Sequence, residues 1–192
     1  DATAQLLKKR GQAMQQAVPV GQGTMAALLG LDFEAAAGVA ADAAQGQVCD
    51  VANDNAPGQV VVSGNVEAVE RAVELAKDRG ARRPMLLPVS APFHCALMQP
   101  AADIMAEALE ISPPIAPAVP LVANVAAAAV SDPDEIRDLL VRQVTSMVRW
   151  RESVLYMRDQ DVDNLVELGA GKVLTTMLKR IDKEVSGQAV NS

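Results

Sequence analysis

The stretch "QVCDVANDNAPGQVVVSGNVEAVERAVELAKDRG", residues 47–80, decides the fold. Two runs, "QVCDVAND" and "GQVVVSG", flank the turn residues of "NAPG" and read as two strands joined by a tight link. Directly after them, Val66, Val69, Val73 and Ala76 recur at helical spacing, with Asn65 at the capping position and Gly80 at the end. Working outward, "TMAALLGL" (24–31) predicts a strand and "DFEAAAGVAADAAQG" (32–46) a helix capped by Asp32. "RRPMLLPV" (82–89) predicts a last strand. The order β-α-β-β-α-β is that of a ferredoxin-like subdomain, placed at residues 21–88.

The flanks have another rhythm. Residues 4–17 form a helical pattern, with Leu6, Leu7, Ala13, Met14 and Ala17 as its apolar stripe. "LMQPAADIMAEALE" (97–110) is helical and "PAVPLVANV" (117–125) is a strand ending at Asn124. "SDPDEIRDLLVRQVTS" (131–146) carries a D-x-x-E capping box, Asp132 to Glu135, with Pro133 in the first turn. "VRWRESVLYMRDQ" (148–160) continues as a helix, and "NLVELGAGKVLTTMLKRI" (164–181) reads strand, glycine turn, helix. Alternating strands and helices imply a parallel α/β sheet, of which residues 1–20 and 89–192 supply only a part.

Composition bounds the function. The chain has 192 residues, half of them hydrophobic, and a net charge of −7. Its only aromatics are Phe33, Phe93, Trp150 and Tyr156, so base-stacking platforms are hard to build, and the charge opposes nucleic-acid binding. Two cysteines make no disulfide framework, which fits a reducing, cytoplasmic setting. No apolar run reaches membrane-spanning length and no signal peptide opens the chain. The first residue, Asp1, starts a helical pattern without a lead-in, as in a piece of something longer.

His94 is the sole histidine. It follows an apolar strand at a proline-rich corner and precedes a helix, and strand ends are where α/β folds place their sites. It reads as a base, a metal ligand or a packed side chain. Zinc needs several ligands at suitable spacing, and only the adjacent Cys95 and the distant Cys49 are on offer. Cys95 reads as a small buried hydrophobe. Gln143 falls inside the stripe Ile136, Leu139, Leu140, Val144, Met147; its amide either ties down a loop or lines a polar site. Arg10 carries a rigid fork suited to a carboxylate. "GAGKVL" (169–174) lacks the residues of a phosphate loop but suits a strand-to-helix turn with free amides, and "VSG" (62–64) reads as a turn.

Several stretches together resemble one family: "RGQAMQ" (10–15), "GQGTMAALLGL" (21–31), "NDNAPGQVVVSG" (53–64), "SAPFHCALMQPAA" (90–102), "LVANV" (121–125), "LVRQ…VRW" (140–150) and "ELGAGKVL" (167–174). The chain resembles the malonyl-CoA:acyl-carrier-protein transacylases of fatty-acid synthesis and, more distantly, the acyltransferase domains of polyketide synthases. The resemblance implies an α/β-hydrolase-like domain with an inserted ferredoxin-like subdomain. It implies ping-pong transfer of malonyl from coenzyme A, through a serine in a G-H-S-x-G elbow, to the phosphopantetheine thiol of acyl carrier protein. By motif match His94 resembles the base, and Gln143 the residue whose backbone carbonyl orients it. Arg10 resembles the arginine that pairs with the malonyl carboxylate. Asn53, Asn55, Asn124 and Met14 fall in motifs near the substrate pocket.

The implied partners are malonyl-CoA and an acidic carrier protein, with no metal or resident cofactor and a monomeric chain. Arg79, Arg82 and Arg83, or Lys172, Lys179 and Arg180, form basic clusters suited to the carrier or to coenzyme A phosphates, or simply solvated faces. Ala170 and Met147 stand where the family often has proline. "PFH" at 92–94 favours malonyl over methylmalonyl in the family pattern. No G-x-S-x-G occurs in the 192 residues, so the chain alone is expected to be inactive. The alternatives are a polyketide-type acyltransferase with another extender unit, a non-catalytic carrier-binding fragment, and a hydrolase releasing malonate.

Overall fold

The structure, a computed structural model, describes residues 2–190. Helix α1 (Ala2–Gln16) leads into strand β1 (Gly23–Leu29), helix α2 (Phe33–Ala44), the hairpin β2 (Cys49–Ala56) and β3 (Gln59–Asn65), helix α3 (Val66–Asp78) and strand β4 (Arg83–Leu86). These strands form one antiparallel sheet in the order β2-β3-β1-β4, the arrangement expected for the βαββαβ stretch. Strand alternation explains its two faces. Ala26, Leu28, Val60 and Val62 point to α2 and α3, where Val39, Ala40, Val69, Ala72 and Ala76 meet them. Met25, Ala27, Ala52 and Val61 point the other way, toward Leu87, Val89 and Phe93. The alanine-rich helices lie close to the sheet because little side chain intervenes. Asp32 caps α2 by accepting from the Ala35 amide at 2.8 Å.

The rest is built around helices. After one 3₁₀ turn at Ala96–Met98 come α4 (Gln99–Ile111), β5 (Leu121–Ala123), β6 (Ala128–Val130), α5 (Pro133–Arg142), α6 (Trp150–Asp159), β7 (Asn164–Leu168), α7 (Val173–Ile181) and β8 (Ser186–Val190). Met14 of α1 packs with Ala101, Ala102 and Met105 of α4 and with Val144. Val154, Leu178 and Val185 close a second small core around α6 and α7. β7 and β8 pair parallel. Among the described residues no helix is long and apolar enough to cross a membrane.

Several local expectations are corrected. "VSG" is not a turn: Ser63 and Gly64 are buried positions inside β3. Gly64 is needed there because a Cβ would stand 1.9 Å from the Val48 carbonyl oxygen. Asn65 makes no side-chain cap on α3; its Oδ1 accepts from the Val48 amide instead, at 2.9 Å, tying the sheet edge to the helix start. Leu7 and Leu140, both assigned to buried stripes, are 65 % and 44 % exposed. The strand of 117–125 starts only at Leu121, after Pro120, and folds back antiparallel onto β6 rather than joining a parallel sheet. Only the forward half of the capping box forms, with Asp132 accepting from the Glu135 amide at 2.9 Å.

Candidate active site

The chain leaves the sheet after β4 through Pro88 and Pro92, and the corner that follows is stapled from several sides. Phe93 packs under the sheet. Gly23 lacks a Cβ that would otherwise meet the Pro92 ring at 2.3 Å. Gln15 donates to Ser90 Oγ at 2.7 Å and the Ala96 amide donates to Asp50 at 2.9 Å. Cys95 is fully buried, its thiol donating to the Pro92 carbonyl, as its reading as a small hydrophobe anticipates. Between these anchors His94 is held at φ 60, a left-handed conformation uncommon for residues other than glycine.

That backbone turn aims the ring at the end of α5. His94 Nδ1 lies 3.0 Å from the Gln143 carbonyl oxygen. A carbonyl only accepts, so Nδ1 carries the proton and Nε2 of the neutral ring keeps its lone pair. The Gln143 side chain turns away and donates to the carbonyls of Ser146 and Met147, at 3.0 and 3.4 Å. Of its two readings, the amide ties down its own following loop, while the backbone carbonyl holds the histidine. Burial pushes the His94 pKa below its ordinary 6.5, opposed by the Gln143 carbonyl and helped by the positive charge of Arg10.

Arg10 is half-buried on α1, and burial lowers its own pKa. Among the described residues it forms no ion pair and its guanidinium has no hydrogen-bond acceptor. A buried-side cation without a counter-charge, close enough to bear on the imidazole, is a receptor for an anion. Met14 sits one turn further along α1, in the apolar core beside Phe93 rather than at an open surface. Asn53 and Asn55 are half-buried on β2. Asn124 lines a cleft of about 320 Å³ with Trp150, Ser153 and Thr175, between β5 and β7, and its carbonyl accepts from the Arg149 amide at 3.3 Å.

The basic residues regroup. Arg79 is neutralised by Asp42. Arg82, just before β4, and Arg83 at its start meet Arg180 of α7 around a hollow of about 420 Å³, next to Gly30 and Gly58, and Lys172 lines a neighbouring one with Arg180. The amides that start α7 are not free for a phosphate. The Glu167 carboxylate accepts from the Leu174 and Thr175 amides and from the Thr175 hydroxyl, which holds its pKa below the usual range. Among the described residues no group of three or more His, Cys, Asp or Glu could hold a metal ion. Sequence reading missed the pair Asp54–Arg151, with Arg151 Nε 2.9 Å from a carboxylate that is 1 % exposed. Its signal was an aspartate at an inward register of an apolar strand.

The model of the acyl transferase domain matches residues 2–191. The chain is 50% identical over 186 residues to the malonyl CoA-acyl carrier protein transacylase of Escherichia coli, covering 97% of this chain and 60% of that protein. It is 40% identical to the one of Bacillus subtilis, covering 96% of this chain and 59% of the relative. A crystal structure of an acyl carrier protein S-malonyltransferase from Vibrio cholerae superposes with a TM-score of 0.95 at 52% identity, over 98% of this chain and 61% of that one. A malonyl-transacylase in complex with a type II polyketide-synthase acyl-carrier protein gives 0.94 at 45% identity, over 98% and 61%. The chain thus spans about 60% of the length of the relatives it matches.

Proposed function

The chain belongs to the acyl transferase domain family, and from that premise we propose that it carries the base and the carboxylate receptor of a malonyl-CoA:acyl-carrier-protein transacylase. The observation that supports this reading best is the pairing of His94 Nδ1 with the Gln143 carbonyl, beside an arginine that has no counter-ion.

The chemistry follows from the free Nε2. A serine hydroxyl, supplied from outside these 192 residues, gives its proton to Nε2 as its oxygen attacks the malonyl thioester. The tetrahedral intermediate expels the coenzyme A thiolate, which takes that proton. In the second half the phosphopantetheine thiol gives its proton to the same nitrogen, attacks the acyl-serine, and the serine leaves reprotonated. A depressed pKa keeps His94 neutral at pH 7 and ready for both half-reactions. A neutral carbonyl on Nδ1 fixes the tautomer, with less support for the imidazolium than a carboxylate gives. Arg10 pairs with the free malonyl carboxylate; acetyl leaves the guanidinium unpaired and is rejected. Asn53, Asn55 and Asn124 are assigned to the surrounds of the substrate path, and Met14 to its apolar wall. Residues 21–88 form the ferredoxin-like subdomain, and 1–20 with 89–192 the acyltransferase portion. The carrier docks against Arg82, Arg83 and Arg180, where positive charge is locally unopposed.

A second reading, transfer to a polyketide-type carrier, draws on the matched transacylase solved with such a partner. The test is malonyl loading by a version of the chain extended to the full length of the relatives. His94→Ala is expected to lose about 10²–10⁴ in rate, and Arg10→Ala to load acetyl and malonyl alike. Retained malonyl transfer by His94→Ala removes the assigned base. Comparing fatty-acid and polyketide carriers as acceptors separates the two readings.

A further inference from the structure

His94 is fixed by the segment that joins α5 to α6, and that segment is itself fixed from the far side by β2. β2 is the outer strand of its sheet, and its pairing with β3 is irregular at Ala52 and Asn55. The irregularity leaves the outer edge of β2 free for another partner. Val148 takes it: the Val148 amide donates to the Ala52 carbonyl at 2.8 Å and the Asp54 amide to the Val148 carbonyl at 3.0 Å, a parallel bridge one residue long. So short a ladder frays easily alone. Directly behind it, Arg151 in the first turn of α6 reaches back to Asp54, with Nε at 2.9 Å and Nη2 at 2.7 Å from the same carboxylate oxygen. Asp54 is 1 % exposed, so releasing Arg151 strands a charge in the interior. The contact is therefore close to all-or-none. Five residues before Val148, Gln143 donates through its side chain to the Ser146 and Met147 carbonyls, and its own carbonyl lies 3.0 Å from His94 Nδ1.

We propose that the Asp54–Arg151 ion pair is a positioning device for His94: by locking the start of α6 to the irregular edge of β2, it holds the 143–148 segment so that the Gln143 carbonyl keeps the imidazole proton on Nδ1. The inference rests on the reading of His94 as the base for its functional meaning, not for its geometry. It ties the base's tautomer to the packing of the sheet against the helical part of the chain.

The sole histidine makes the test direct, because the chain gives one set of imidazole NMR signals. Nitrogen chemical shifts at pH 8, where the ring is neutral, report the tautomer, and exchange of the ring N–H reports its hydrogen bond. The parent chain is expected to show the Nδ1–H form alone. Asp54→Asn, isosteric but uncharged, is expected to release a population with the proton on Nε2 and to speed Nδ1–H exchange about tenfold. Arg151→Lys, which keeps the charge and loses the fork, shifts the ring the same way to a smaller extent and carries the test if Asp54→Asn does not fold. Arg158→Gln removes another ion pair of α6, the one to Asp182, and is expected to lower Tm with the ring signals unmoved. An unchanged ring in folded Asp54→Asn or Arg151→Lys overturns the proposal, as does an equal disturbance in Arg158→Gln. Because the readout is the tautomer, it stands apart from malonyl loading: loss of the catalytic reading leaves this result intact, and the reverse.

Discussion

His94 sits at φ 60 because everything around it is already anchored: Pro92 fits against Gly23, Cys95 is buried, and Ala96 is bonded to Asp50. The ring is then placed between a carbonyl that wants its proton and an arginine that resists its charge. This has a consequence for substrate binding. Arg10 lowers the His94 pKa through its positive charge, so an anion that pairs with Arg10 raises it again. Titrating malonate into the chain is expected to move the His94 NMR titration upward, and Arg10→Met to abolish the movement; a midpoint indifferent to malonate removes Arg10 from contact with the carboxylate. The same depressed pKa couples to folding. Below the unfolded value of 6.5 the unfolded chain takes the proton first, so stability falls as pH drops through that value and goes on falling until the folded ring protonates. Above it the ring contributes no slope. His94→Gln is expected to flatten the fall in Tm between about pH 7 and pH 5. The importance of this histidine was legible because it was alone at a strand end. The left-handed turn that aims it was not, since it arises from packing partners as distant in sequence as Gly23 and Asp50.

At the level of elements, what could be read was what is decided locally. β1, β3, α2 and α3 follow from alternation and helical spacing within one contiguous stretch, and their sheet order follows from short links. The Asp32 and Asp132 caps were legible for the same reason. Elements set by distant contacts were not. β5 turns back onto β6 through Ala127 at φ 51, with Arg149 binding the Val125 and Ala126 carbonyls, and nothing in "LVANV" announces this. Gly64 looked like a turn residue because its purpose lies across the sheet, where the Val48 carbonyl passes too close for any side chain. Gly64→Ala is therefore expected to be far more harmful than an alanine normally is in a strand. It forces β2 and β3 apart at the end where Asn65 ties Val48, at a cost of about 1–3 kcal/mol, read as a lowered denaturation midpoint. Gly11→Ala serves as the comparison, because nothing lies within 4 Å of its would-be Cβ and its backbone, like that of Gly64, is not left-handed. Equal losses in the two variants contradict the close-approach argument.

The whole molecule is two unlike halves. The ferredoxin-like sheet has one face fully covered by helices, while β7 and β8 form a parallel pair of only two strands. Parallel strands are ordinarily covered on both faces. Here Leu168 is 78 % exposed and Val173 is 61 % exposed, in keeping with a chain that spans about 60% of its relatives' length. Charge is divided just as unevenly. The net charge of −7 repels any acidic partner at long range, yet Arg82, Arg83 and Arg180 converge without a carboxylate partner among the described residues. Sequence alone kept these arginines in two separate clusters; only the packing of α7 against β2 brings Arg180 to the hollow that Arg82 and Arg83 line. An acidic partner is thus attracted only in one orientation. Replacing Arg82 and Arg180 together by Glu is expected to slow association with acyl carrier protein roughly tenfold or more at low ionic strength and to flatten its salt dependence, because steering of this kind acts on the on-rate. The dissociation rate is expected to change less. Replacing Lys8 and Lys9, equally basic but on the exposed face of α1, controls for net charge, since it alters the total by the same amount without touching the hollow. If both pairs of replacements slow binding equally, the carrier responds to overall charge, and the merged arginine cluster is not its landing site.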